Sequence, residues 1–317
     1  MGDLIRVEHL KTYFDVPAGT VHAVDDVTFS IKEGHTMGVV GESGCGKTTL
    51  GRTIIHLQES TDGKIYYRNR DVTQLDKKGL RQIREEMQIV FQDPFSSLNP
   101  RLTVEESVKE PLILSKKYTK QELPDVLNAL LEQVGIDERL RASYPHELDG
   151  GRRQRVVIAR ALAMNPSFLC CDEPVSALDV SIQAQVLNLL QDLQEQRNLT
   201  YLFITHDLSV VRHISDDICV MCLGQLVETS PSREMFIRPL HPYTKALLSA
   251  IPSPDLDDNR QRIVLEGELT SPIDPKPGCR FAPRCRYACD RCHQPQTLEE
   301  LETNHFVACC RARELND

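Results

Sequence analysis

Glu147-Leu148-Asp149-Gly150-Gly151-Arg152-Arg153-Gln154-Arg155, running on to Phe168-Leu169-Cys170-Cys171-Asp172-Glu173-Pro174, is the stretch that decides the fold. A glycine pair opens a basic amphipathic helix, Arg152 to Met164. A short apolar strand follows, Ser167 to Cys171, and ends in two adjacent carboxylates, Asp172 and Glu173. An isolated acidic pair at a strand end is commonly just solvated. Here the helix before it, and Pro174 and Ser176-Ala177-Leu178-Asp179 after it, give the pair a context that chance does not.

Upstream, the apolar strand Met37 to Val40 feeds Gly41-Glu42-Ser43-Gly44-Cys45-Gly46-Lys47-Thr48-Thr49, and a helical pattern, Leu50 to Leu57, follows. This is the phosphate-loop spacing G-x-x-x-x-G-K-[ST], placed between a strand and a helix as it should be. The glycines let backbone N–H groups turn inward around phosphates. The candidate nucleotide-binding residues are Gly41, Ser43, Gly44, Cys45, Gly46, Lys47, Thr48 and Thr49. Lys47 is expected to reach the β- and γ-phosphates, and Thr48 to ligate Mg²⁺.

Together the segments resemble the ATP-binding subunit of an ABC (ATP-binding cassette) transporter. The resemblance covers residues 4 to 310. It implies a P-loop α/β ATPase fold with an antiparallel β-subdomain and a helical subdomain at about 98–164. The ATPase domain is expected over 1–251, and a cysteine-rich C-terminal extension over 252–317. Asp172 is then the Walker B residue holding Mg²⁺, mainly through water, and Glu173 the general base that polarises the attacking water. Gln92, in Val90-Phe91-Gln92-Asp93-Pro94, matches the Q-loop, whose amide touches the Mg²⁺ shell and the membrane subunit. His206, after Tyr201-Leu202-Phe203-Ile204-Thr205, matches the switch histidine at the γ-phosphate. Asp179 lies in the D-loop, which crosses a dimer interface. An aromatic at Tyr13 or Phe14 is expected to stack on adenine, Phe14 being favoured by register.

The signature departs from the family's Leu-Ser-Gly-Gly-Gln. Asp149, Gly150, Gly151 and Arg152 face, in trans, the ATP held by the other subunit, and Asp149 puts a carboxylate where a serine should be. Two unit charges ~4 Å apart at an effective dielectric near 20 interact by about 4 kcal/mol. An aspartate N-cap recovers only ~1 kcal/mol. Arg152 can neutralise Asp149 or meet the phosphate itself.

Six of the 11 cysteines fall between Cys279 and Cys310. A reducing compartment argues against disulfides. Four thiolates bind either zinc or an iron–sulfur cluster. The set Cys279, Cys285, Cys292 and Cys309 is expected to hold a four-iron four-sulfur cluster, with zinc as the alternative. Only Cys289-x2-Cys292 offers the close pairing zinc prefers, so the spacing through Cys285 is more cluster-like; Cys289 and Cys310 are the spare thiols by register, although Cys310 can replace Cys309. The preceding Arg238-Pro239-Leu240-His241-Pro242-Tyr243 resembles the C-terminal extension of oligopeptide, dipeptide and nickel importers, some of which carry such a cluster.

With 37 basic against 46 acidic residues, the net charge of −9 suits nucleic acid poorly. No apolar run approaches the ~20 residues of a membrane span. Met1-Gly2-Asp3-Leu4-Ile5-Arg6 lacks a signal-peptide core, so the expected site is the cytoplasmic face of the membrane. The implied partners are a second, non-identical cassette, two transmembrane permease subunits and, indirectly, an extracytoplasmic substrate-binding protein. The rival readings are a nickel importer subunit, a soluble ABC-type ATPase acting on nucleic acid or ribosomes, and a binder that does not hydrolyse ATP. The last is disfavoured by Glu173 and His206.

Overall fold

A computed structural model of the chain describes residues 2–251, 263–265, 267 and 271–316. The linker expected at Pro252–Asp258 lies outside them. The described strands are β1 (Asp3–Val16), β2 (Gly19–Lys32), β3 (Thr36–Val40), β4 (Asp62–Tyr67), β5 (Arg70–Asp71), β6 (Met87–Val90), β7 (Phe168–Asp172), β8 (Thr200–Thr205), β9 (Asp217–Cys222), β10 (Gln225–Pro231), β11 (Glu299–Glu302) and β12 (His305–Val307). The chain forms two compact units, one from residues 1–73 with 203–317 and one from residues 74–202.

The first unit carries the antiparallel sheet that the alternation of Leu4 to Ile31 predicts, in the order β2-β1-β4-β5. Leu4, Ile5, Val7 and Leu10 of β1 are buried, as are Val24, Val27, Phe29 and Ile31 of β2. The same unit holds β3 beside β9 in parallel, with β10, β12 and β11 added antiparallel in turn. Every residue of β3 is buried, which is why Thr-Met-Gly-Val-Val reads as a continuous run rather than an alternation. β11 and β12 come from the extension, so the tail completes a sheet of the first unit.

The second unit pairs β6 with β7 in parallel and is otherwise largely helical. It is longer than the helical insert expected at 98–164. The helix Val104–Ser115 opens on a capping box between Thr103 and Glu106. The helix Gly150–Leu162 starts at the glycine pair itself, two residues before the expected Arg152. Gly151 passes so close to the helix Val180–Arg197 that a Cβ there would stand 2.5 Å from Ile182 Cγ2. The segment therefore packs as one body with residues on both sides of it.

Candidate functional site

The phosphate loop lies in the first unit, between β3 and the helix Lys47–Ile54. Gly46 has φ 104°, and a Cβ there would sit 1.9 Å from the Ala23 carbonyl oxygen, so no other residue fits. Gly44, at φ 77°, is required for a different reason. Its surroundings are open within 4 Å, and only the backbone conformation demands glycine. Lys47 is buried, and its Nζ donates to the carbonyls of Gly41 at 2.8 Å and Glu42 at 3.0 Å. Ser43 and Gly44 are exposed, Thr48 and Thr49 half-buried, and the Cys45 thiol is pushed up by burial. The loop thus sets one buried ammonium among its own carbonyls and left-handed glycines, the residue set of a polyphosphate cradle.

Of the two aromatics expected to stack on adenine, Tyr13 is already engaged. Its ring stacks on His22 at 4.0 Å between centroids, and its hydroxyl donates to Asp25. Phe14, one position along β1 and paired with Val21, is half-buried. His206 follows β8 and is exposed, and Asp207 caps the helix Leu208–Ile214 after it.

In the second unit Asp172 closes β7 and is buried, 2 % exposed. Glu173 follows with φ 47°, a left-handed backbone in a residue that is not glycine. Gln92, after β6, donates from its amide nitrogen to the Glu173 carboxylate at 3.1 Å. The structure therefore joins the expected general base directly to the expected Q-loop residue. Asp149 accepts from the Arg152 backbone N–H at 2.7 Å and pairs with its guanidinium at 3.3 Å. The carboxylate is spent on its own helix and its own arginine. Asp179 is exposed and caps the helix Val180–Arg197 by accepting from the Ile182 N–H at 3.0 Å.

The cysteines of the extension fall into two overlapping groups. Cys279, Cys285, Cys292 and Cys309 line one small cavity, with Phe281 and His241 also in its wall. Burial, together with neighbouring Cys292, Cys309 and Cys285, pushes the Cys279 thiol up to about 12. Clustered thiols resist ionising together unless a cation sits among them. Cys289 and Cys310, expected to stand apart, do not. Their sulfurs and that of Cys292 all lie within 4.8 Å of one another. The extension folds the Cys289-x2-Cys292 turn against the chain end, which spacing alone does not reveal. Below the cavity, Glu228 is fully buried and accepts from His305 at 2.7 Å and from the N–H groups of Leu240 and His241. That buried carboxylate ties β10, the Leu240–His241 turn and β12 together, and nothing in the sequence pattern announced it.

Comparison with known proteins matches two family descriptions in succession along the chain. The family described as ABC transporter matches residues 24–176, and that described as oligopeptide/dipeptide transporter, C-terminal region, matches residues 227–292. The oligopeptide transport ATP-binding protein AppF of Bacillus subtilis is 49% identical over 317 residues, covering 96% of each chain. The oligopeptide transport ATP-binding protein OppF of Salmonella typhimurium is 48% identical over 320 residues, covering 97% of this chain and 96% of its own. A dimeric ATP-binding cassette solved in a post-hydrolysis state with ADP and phosphate superposes with a TM-score of 0.66 at 31% identity, over 72% of this chain and 99% of that one. The relatives match this chain nearly end to end, and the chain belongs to the ATP-binding subunits of ABC transporters, in their oligopeptide/dipeptide branch.

Proposed function

We infer that this chain hydrolyses ATP to drive the import of oligopeptides through membrane partners. The observation that carries the reading is Glu173, held at φ 47° at the end of β7 and bonded by the Gln92 amide. Left-handed backbone outside glycine costs about 1–3 kcal/mol and gathers at active sites. Glu173 takes the proton of the attacking water, and Gln92 orients its carboxylate. Lys47 carries positive charge to the transferring phosphoryl group, and His206 meets the γ-phosphate. Thr48, Asp172 and Gln92 offer hydroxyl, carboxylate and amide oxygens, hard donors that suit Mg²⁺. That ion, when bound, neutralises charge on the phosphates.

The test is Glu173→Gln in the complex assembled with its membrane subunits. The amide keeps the shape but is no base, so ATP binding should persist while turnover falls about 10²–10⁴-fold. Steady turnover near the parental rate would remove Glu173 from the role.

Peptide as cargo is supported by the names of AppF and OppF and by the matched C-terminal region. Two permease subunits and an extracytoplasmic binding protein complete such an importer. Among the described residues no helix is long and apolar enough to cross a membrane, in keeping with a peripheral place on the cytoplasmic face. The dimer partner is a related cassette with an unaltered signature. The self-paired Asp149 and Arg152 support this, because a phosphate reaching that helix meets a carboxylate already bonded to the Arg152 N–H and guanidinium.

The extension binds a four-iron four-sulfur cluster on Cys279, Cys285, Cys292 and Cys309. One further atom fits. His241 Nδ1 accepts from the Tyr243 N–H, so the neutral ring carries its proton on Nε2, and that buried nitrogen has no partner among the described residues. It is a donor in the wall of a cavity lined by sulfur. A second reading, zinc, is favoured by the close trio Cys289, Cys292 and Cys310.

A further inference from the structure

The extension reaches the phosphate loop through an arginine next to one of the cavity cysteines. Arg284, immediately before Cys285, donates from both terminal nitrogens to the Glu42 carboxylate, at 2.7 and 2.9 Å. Glu42 is the second residue of the loop. Its backbone N–H donates to the Tyr243 hydroxyl at 3.0 Å, and that hydroxyl lies 3.4 Å from the same carboxylate. Its carbonyl accepts from Lys47 Nζ at 3.0 Å. One residue therefore links the extension, the helix Pro242–Ser249 and the loop lysine.

The chemistry of Glu42 is unfavourable on its face. A carboxylate in a loop that receives a polyphosphate repels it. Parallel double hydrogen bonding to a guanidinium is the strong class of ion pair, and it cancels the charge as well as fixing geometry. The arginine side chain is 10% exposed and the glutamate 26%, so water screens the pair only partly. Arg280, after Cys279, adds a second strut, donating to the Leu223 carbonyl and to Asp25, the acceptor of the Tyr13 hydroxyl.

We propose that Arg284 is a positioning residue for ATP: it neutralises Glu42 and holds the first turn of the phosphate loop, so that nucleotide affinity depends on the extension. The proposal rests on the phosphate-loop reading above and is independent of which metal the cysteines hold. Lysine would keep the charge but lose the planar fork, so the pair is specific for arginine.

The experiment is calorimetric titration of the full-length chain with Mg-ATP. Arg284→Ala should raise the Kd about tenfold, equivalent to about 1.4 kcal/mol. Glu42→Gln combined with Arg284→Ala should return it to within about threefold of the parent, because the charge needing neutralisation is gone. A role confined to folding would not be rescued by that second change. If Arg284→Ala does not fold, Arg284→Lys replaces it, with a rise of about threefold that vanishes in the Glu42→Gln background. A parent chain that binds no ATP overturns the loop reading and this proposal with it. A parent that binds, with Arg284 variants unchanged or unrescued, overturns this proposal alone.

Discussion

Asp149 turns a recognition serine into a cap for its own helix. Replacing it with serine and Arg152 with glutamine should remove the carboxylate from the start of the helix Gly150–Leu162 while keeping a cap, and raise hydrolysis at the partner's nucleotide. Single-turnover assays on the complex, with the other site blocked by Glu173→Gln, would detect the gain; no change would make the altered signature neutral. At this scale the sequence was legible wherever chemistry requires a residue type at a fixed spacing. Lys47, Asp172, Glu173 and Gln92 are of that kind. Tyr13 and Phe14 are not. Neighbours on a strand face opposite ways, and only the folded hairpin reveals that His22 and Asp25 already occupy Tyr13.

Among elements, the helix Val180–Arg197 depends on Asp179, whose side chain satisfies the Ile182 N–H. Asp179→Ala should cost about 1 kcal/mol in urea unfolding, apart from any effect at a dimer interface. β11 was not legible. Glu299-Glu300-Leu301-Glu302 reads as an acidic loop, since glutamate is depleted in strands. It forms an edge strand, where charge discourages pairing with other chains. β12 was hidden for another reason: its registration on β10 depends on the buried pair Glu228–His305, a contact 77 residues apart in the chain. His305→Ala should destabilise the chain by about 2–3 kcal/mol, because a fully buried carboxylate loses one of its donors. Chemical denaturation measures this, and a loss below about 0.5 kcal/mol would show that water replaces the imidazole.

For the molecule as a whole, the extension reads in sequence as an appendage and folds as part of the first unit. Its composition explains the difficulty. Arg280 and Arg284 look like surface charge between cysteines, yet they carry the attachment to Asp25 and Glu42. Anaerobic purification should yield iron and acid-labile sulfide near four of each per chain, with visible absorption that Cys285→Ser removes. Zinc without iron would move the site to the Cys289, Cys292 and Cys310 trio. Either metal should raise the melting temperature, since cross-linking thiolates order a segment with little apolar area of its own.

The self-capped signature helix bears finally on how much fuel a transport cycle consumes. Two nucleotides would enter such a pair of cassettes, but the one opposite Asp149 would be hydrolysed slowly. It would act as a fastener, keeping the two subunits joined along one edge while the other edge opens and shuts. Coupled turnover in reconstituted vesicles should then approach one ATP per peptide imported, and a ratio of two would mean that both edges work alike.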